Sequence, residues 1–121
     1  MAMTPLADKG NILHIFDFKV KDGMGGEFIK RFEKFDYSDD NPMHKSPAQV
    51  RDGVLCRAAD DPNRFFLIGE WKSIAEHKEI LPLIAELKPD YAPLLADGPA
   101  SMKPLYVEVV VSTPQEILDK A

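Results

Sequence analysis

Three histidines, a single tryptophan and three tyrosines are the side chains of this 121-residue chain best suited to chemistry on a small molecule. Trp71 closes an apolar run and is followed by Lys-Ser-Ile-Ala-Glu-His77, so the indole and an imidazole flank one junction. An indole can stack on a planar ring and donate its N–H to a ligand oxygen, or it can simply pack in a core. His77 is suited to general-base work near neutral pH, or to facing solvent. Because Ile74, His77, Leu81 and Ile84 recur at three- and four-residue spacing, His77 is expected on the apolar face of a helix, at the sheet or the pocket edge. His14 alternates with Phe16 and Phe18, on a face that is either pocket floor or subunit interface. His44 sits in Asn-Pro-Met-His-Lys, as a surface residue or as part of a loop over a ligand. Tyr106 can bond a ligand or pack. Asp17 and Glu70 read as paired acids or as charges at a sheet edge or interface, and Cys56 as a small buried hydrophobe. The histidines are thirty and thirty-three residues apart with no short-spaced ligand partner, so no metal site is expected.

The elements that must position these residues follow from hydrophobic period and turn chemistry. Residues Asn11 to Val20 alternate, with Ile12, His14, Phe16, Phe18 and Val20 on one face, which predicts a strand. Asp22-Gly23 ends it, and Met24, Phe28, Phe32 and Phe35 mark the apolar stripe of a helix. The aperiodic stretch Asp36 to Gln49 predicts a long loop. Val50 to Ala59 and Arg64 to Trp71 predict a hairpin across Asp60-Asp61-Pro62-Asn63. Ser73 and Glu76 form a capping-box pattern for a helix over about Ile74 to Leu87, with Pro82 expected to kink or interrupt it. Tyr91 to Pro99 reads as a connection with a short turn at Ala92 to Ala96, Met102 to Val111 as the fourth strand, and Thr113-Pro114 as cap and first turn of a short helix over Gln115 to Lys120.

The order strand, helix, strand, strand, helix, strand predicts an α+β, ferredoxin-like βαββαβ fold, with two helices on one face of a four-stranded antiparallel sheet. The expected organisation is an N-terminal extension (1–10), one domain (11–111) and a C-terminal tail with a short helix (112–121). The strands carry apolar residues on both faces. Two helices cover only one, which predicts a homodimer packed sheet to sheet; the alternative is the C-terminal helix folding back over the open face. Hydrophobic and charged contents of 45% and 29% are those of a soluble globular protein. No apolar run reaches the roughly 20 residues of a spanning helix, and the first ten residues lack a basic start and apolar core, so a cytoplasmic protein with no membrane partner is expected. A net charge of −5 without a Lys/Arg stripe argues against nucleic acid.

Over roughly Asn11 to Val111 the chain resembles the antibiotic biosynthesis monooxygenase family, the dimeric α/β-barrel proteins. The likeness rests on the first strand leading through Val20-Lys21-Asp22-Gly23 to a helix, on Gly53, on Asp60-Asp61-Pro62, and on Glu70-Trp71-Lys72-Ser73 followed by His77. It implies a homodimer with one pocket per subunit between sheet and helices. It also implies oxygenation of a small aromatic or quinone/hydroquinone-like compound with no cofactor; by the chemistry and spacing of the residues themselves, His77 and Trp71 are the expected catalytic pair and His14, Phe16, Phe28, Phe32 and Tyr106 the expected substrate lining. The family's haem-degrading members combine a strand asparagine, a tryptophan and a helix histidine, and here Phe16 and Leu81 stand near the first and last of these. A non-catalytic small-molecule binder and an isomerase-like enzyme using His77 as proton shuttle are the alternatives on the same fold.

Overall fold

The computed structural model describes residues 2–121, Ala100 by its backbone alone; Met1, where the expected N-terminal extension begins, lies outside the described residues. The chain forms β1 (Ile12–Lys19), α1 (Gly25–Asp36), β2 (Gln49–Arg57), β3 (Arg64–Trp71), α2 (Ile74–Leu87), β4 (Leu105–Glu108) and a terminal turn of helix, α3 (Gln115–Leu118). The antiparallel sheet has the order β2-β3-β1-β4, the ferredoxin-like order in which the two central strands are those that precede the helices.

Local chemistry explains the boundaries. Asp22-Gly23 turns the chain from β1 into α1 with Gly23 at φ 77°, a left-handed conformation that glycine adopts without strain. The Asp61 carboxylate accepts from the Asn63 N–H at 2.9 Å and tightens the β2–β3 turn. At the start of α2 the Ser73 hydroxyl oxygen accepts from the Glu76 N–H at 3.3 Å, while its O–H donates to the Glu76 carboxylate at 3.0 Å. Pro82 neither breaks nor ends α2: the helix runs through it, because the proline is exposed and the amide bond it removes faces water. The expected stripe on α2 holds at His77, Leu81 and Ile84, loses Ile74 and gains Ile80. Ile74 is 38% exposed, and the face turned to the sheet carries the buried His77 and Ile80 with the half-buried Leu81 and Ile84.

Three other expectations need correction. The fourth strand is four residues long rather than ten, because Pro104 lacks an amide and Pro99–Ser101 is wound into a 3₁₀ turn; beyond it the Val109 N–H donates to the Asn11 carbonyl and the Gly10 N–H to the Val109 carbonyl. The long loop after α1 holds a 3₁₀ turn, Pro42–Lys45, capped by the Asn41 side chain accepting from the Met43 N–H. At α3, Pro114 occupies the cap position and no side chain caps the turn, so Thr113 does not play that part.

Both helices lie on one face of the sheet. His14, Phe16, Phe18 and Val20 point to it from β1, and Phe65 and Trp71 from β3. The opposite face carries Leu13, Ile15, Phe66, Ile68, Leu105 and Val107, of which Leu105 is 59% exposed. Cys56 also lies there and is exposed, not buried as expected, because it pairs with Phe66 on the face no helix covers. No described helix is long and apolar enough to cross a membrane.

Candidate functional site

The covered sheet face has two ends with different chemistry. Under α1 it is aromatic, around Phe18, Phe28, Phe65 and Tyr91, with the Tyr91 hydroxyl the one polar side-chain group of the four. Under α2 the residues are Trp71, His14 and His77, all 2% exposed or less. The Trp71 indole N–H donates to Nδ1 of His14 at 2.8 Å. The His14 ring lies face to face with His77, centroids 4.3 Å apart and planes 13° apart. His77 Nδ1 and the Tyr106 hydroxyl share a 2.7 Å hydrogen bond. The cluster therefore joins β1, β3, β4 and α2 in one chain of contacts, and the Nε2 atoms of both histidines are buried without a partner among the described residues.

The backbone makes room for this arrangement at Gly69, opposite His14 in the β1–β3 pair. A Cβ there would stand 2.6 Å from His14 Cε1, so only glycine lets the imidazole occupy its place beside β3. Burial, and then the neighbouring His77, pull His14 down to about 3, and burial pulls His77 down to about 4. Both rings are neutral at pH 7, and burial raises the Tyr106 hydroxyl, so it keeps its proton.

A cavity of about 430 Å³ opens beside this cluster, between α1, the loop after it and strands β2 and β3. That volume lies within the usual span of small-molecule pockets. Its walls include Phe32, Phe35, Leu67 and Tyr91, and His14 also lines it. Among the residues singled out in the sequence, His14, Phe32, Phe35 and His44 line the cavity. Trp71, His77, Phe16 and Tyr106 stand behind His14, where Trp71 and His77 have no exposed surface or nearly none and the indole N–H is already engaged. Phe28 is at the centre of the aromatic core, 4.9 Å from Phe65 and 5.7 Å from Tyr91 between ring centroids, and does not reach the cavity.

The cavity mouth carries a group that spacing in the sequence did not reveal. His44 Nε2 lies 3.4 Å from Asp36 Oδ1 and 3.0 Å from Asp52 Oδ1. The three donors, from the end of α1, the loop and β2, fall within 4.8 Å of one another, close enough for a divalent cation; a protonated His44 satisfies the same two carboxylates without one. Burial, and then Asp52, raise the Asp36 carboxyl. Asp52 owes its position to an irregularity in the β2–β3 register between Arg51 and Val54, a feature of edge strands that no residue pattern announces. Asp17 and Glu70 do not pair with each other. Asp17 binds Arg64, and Glu70, 2% exposed, accepts from Arg51, Asn11 and the Asp8 N–H, tying the N-terminal segment to the open sheet face.

No protein-family model and no curated protein matches the sequence. Solved structures do match. A putative antibiotic biosynthesis monooxygenase from Bordetella bronchiseptica superposes with a TM-score of 0.63 at 17% identity, over 85% of this chain and 100% of that one. The fold is that of the antibiotic biosynthesis monooxygenases. SnoaB, a cofactor-independent oxygenase from Streptomyces nogalater, gives 0.55 at 16% identity over 87% and 96% of the two chains. A dimeric ferredoxin-like protein from an uncultured marine organism gives 0.60 at 14%, over 88% and 91%. At these identities the likeness concerns the fold, and the side chains of the site have to be read from this chain itself.

Proposed function

We propose that this chain is a cofactor-independent monooxygenase that takes a small aromatic or quinone/hydroquinone-like compound into the cavity between α1 and the sheet. The observation that carries the reading is the aromatic cavity lined in part by His14, a buried member of the Trp71–His14–His77–Tyr106 cluster. An electron-rich phenol or hydroquinone can pass an electron to dioxygen once its anion is favoured, so the protein's tasks are to hold the ring, exclude water and stabilise developing negative charge on oxygen. Apolar walls serve the first two. The third is assigned to His14, with Trp71 held to it by a hydrogen bond and His77 stacked on its ring. The existence of SnoaB on the same fold adds to the case.

The assembly proposed is a homodimer packed through the open sheet face. Its apolar residues on three strands are the kind of continuous patch that a soluble protein seldom leaves bare, and a two-fold arrangement covers the same patch on both copies. Sedimentation at the mass of one chain would overturn it. Cys56, exposed on that face in one chain, then serves as reporter: thiol labelling should be slow at high protein concentration and speed up on dilution.

Oxygen uptake tests the reaction. With a panel of anthrones and hydroquinones, the chain should consume dioxygen in proportion to substrate, and His77→Ala or Trp71→Phe should abolish most of it. Uptake unchanged in both variants would overturn the site assignment. A second reading, non-catalytic binding of the same class of molecule, is favoured by one feature: both buried histidines are pulled far below neutrality and offer weak bases at best. Saturable binding without oxygen uptake would decide for it, and turnover under anaerobic conditions would decide for an isomerase-like shuttle.

A further inference from the structure

We propose that the hydroxyl of Tyr91 is a ligand contact of the cavity, and that a hydrogen-bonding substituent on an aromatic ligand gains affinity through it. The proposal rests on the cavity's being a ligand site; in the class of compound named above, the substituent is the ring oxygen. Tyr91 follows α2 and is 5% exposed, with its ring against Phe28, Phe32 and Phe35 of α1 at centroid distances of 5.7, 5.1 and 5.7 Å. A tyrosine buried this far ordinarily has its hydroxyl engaged by the protein. Here the hydroxyl has no hydrogen-bond partner among the described residues. The Asp36 carboxylate, whose charge bears on it, contacts Asn41 and His44 instead.

Nor is that hydroxyl sealed in. Among the described residues, the fully buried polar side-chain atoms without a partner are the Nε2 atoms of His14 and His77, and the Tyr91 hydroxyl is not one of them. An unpartnered atom outside that pair has open surface, and the space that Tyr91 borders is the cavity. Burial, and then the Asp36 charge, push the hydroxyl up to about 12, so at pH 7 it keeps its proton and can both donate and accept. A ring hydroxyl and a ring carbonyl therefore suit it alike. Glu33, His44, Asp52 and Arg57 also line the cavity, but from exposed positions where water already serves them and a ligand gains little. Phe32, Phe35 and Leu67 have no polar atom in their side chains to offer.

Equilibrium dialysis of the full chain at pH 7 tests this, with 2-naphthol and its hydrocarbon counterpart naphthalene as probes. Tyr91→Phe should weaken 2-naphthol about fivefold, the effect of one hydrogen bond, and leave naphthalene within about twofold of the wild-type chain. Its urea midpoint should match the wild type, because the hydroxyl supports no bond within the protein. Unchanged affinity for 2-naphthol, or equal weakening of the two probes, would overturn the contact while leaving the cavity reading intact. A lower midpoint would do the same, by showing that the hydroxyl serves the fold. Binding of neither probe to the wild-type chain would remove the cavity reading and the contact with it. Should Tyr91→Phe fail to fold, ¹³Cζ-tyrosine NMR of the wild-type chain decides: the Tyr91 signal should move with 2-naphthol and not with naphthalene, and an equal response to both would overturn the proposal.

Discussion

The two ends of the covered sheet face are built from rings of similar size and carry opposite obligations. Under α1, Phe18, Phe28, Phe65 and Tyr91 interlock edge to face and tilted, and the phenylalanines have no polar atom that could ask for a partner. Under α2, Trp71, His14 and His77 pack as closely but bury ring nitrogens, two of which stay without partners. An aromatic cluster of the first kind stabilises the fold whatever enters the cavity. One of the second kind carries a cost that the packing around it must offset.

The largest separation of the two ends should come from Phe28→Ala. It removes a ring with no exposed surface from the apolar end and should cost about 3–5 kcal/mol in urea unfolding, yet leave affinity for an aromatic probe unchanged in the molecules that remain folded. Loss of binding in step with stability would mean the two ends are one unit.

Acid should act on the α2 end alone. Unfolded, each imidazole takes up a proton near pH 6.5, whereas folded His14 and His77 stay neutral down to about 3 and about 4. The unfolded state therefore binds more protons below pH 6.5. The stability held by the neutral buried rings is complete above that value and falls as the pH drops towards 4, with a limiting slope of about 1.4 kcal/mol per pH unit for each ring. Urea midpoints at pH 7 and pH 5 measure it, and Phe28→Ala should keep the same slope. A flat profile across that window would mean that the rings are not held neutral.

Gly69→Ala presses on the same end without touching its chemistry. The added methyl meets the His14 ring, which must move, at a cost of about 1–3 kcal/mol, and the His14 tautomer signal in NMR should shift. The smallest effect belongs to the cavity mouth. His44→Ala removes the ring that contacts both Asp36 and Asp52, which should cost less than about 1 kcal/mol, as thermal unfolding would show.

Much of the frame was legible along the chain. The capping pattern at Ser73 and Glu76, the alternation through Phe16 and Phe18 and the proline turn at Asp61 are local signals, and each yielded its element. The limits of β4 were less so, because strand pairing there depends on where the segment Gly10–Asn11 lies, which is far away in sequence. The candidate site was legible as a list of residue types and not as an arrangement. Trp71 read either as a platform for a ligand ring or as core; it is buried, with its N–H engaged with a residue fifty-seven positions away.

What the sequence by itself determined is the set of elements, their order and the apolar character of both sheet faces, since period, caps and turns depend on neighbours within a few residues. Only the tertiary structure decided that His14 faces the helices, that Gly69 vacates the space its ring fills, that Asp36, His44 and Asp52 meet, and that Cys56 is exposed. Each of these depends on strand register and helix packing, where one residue of slip would turn a side chain to the other face.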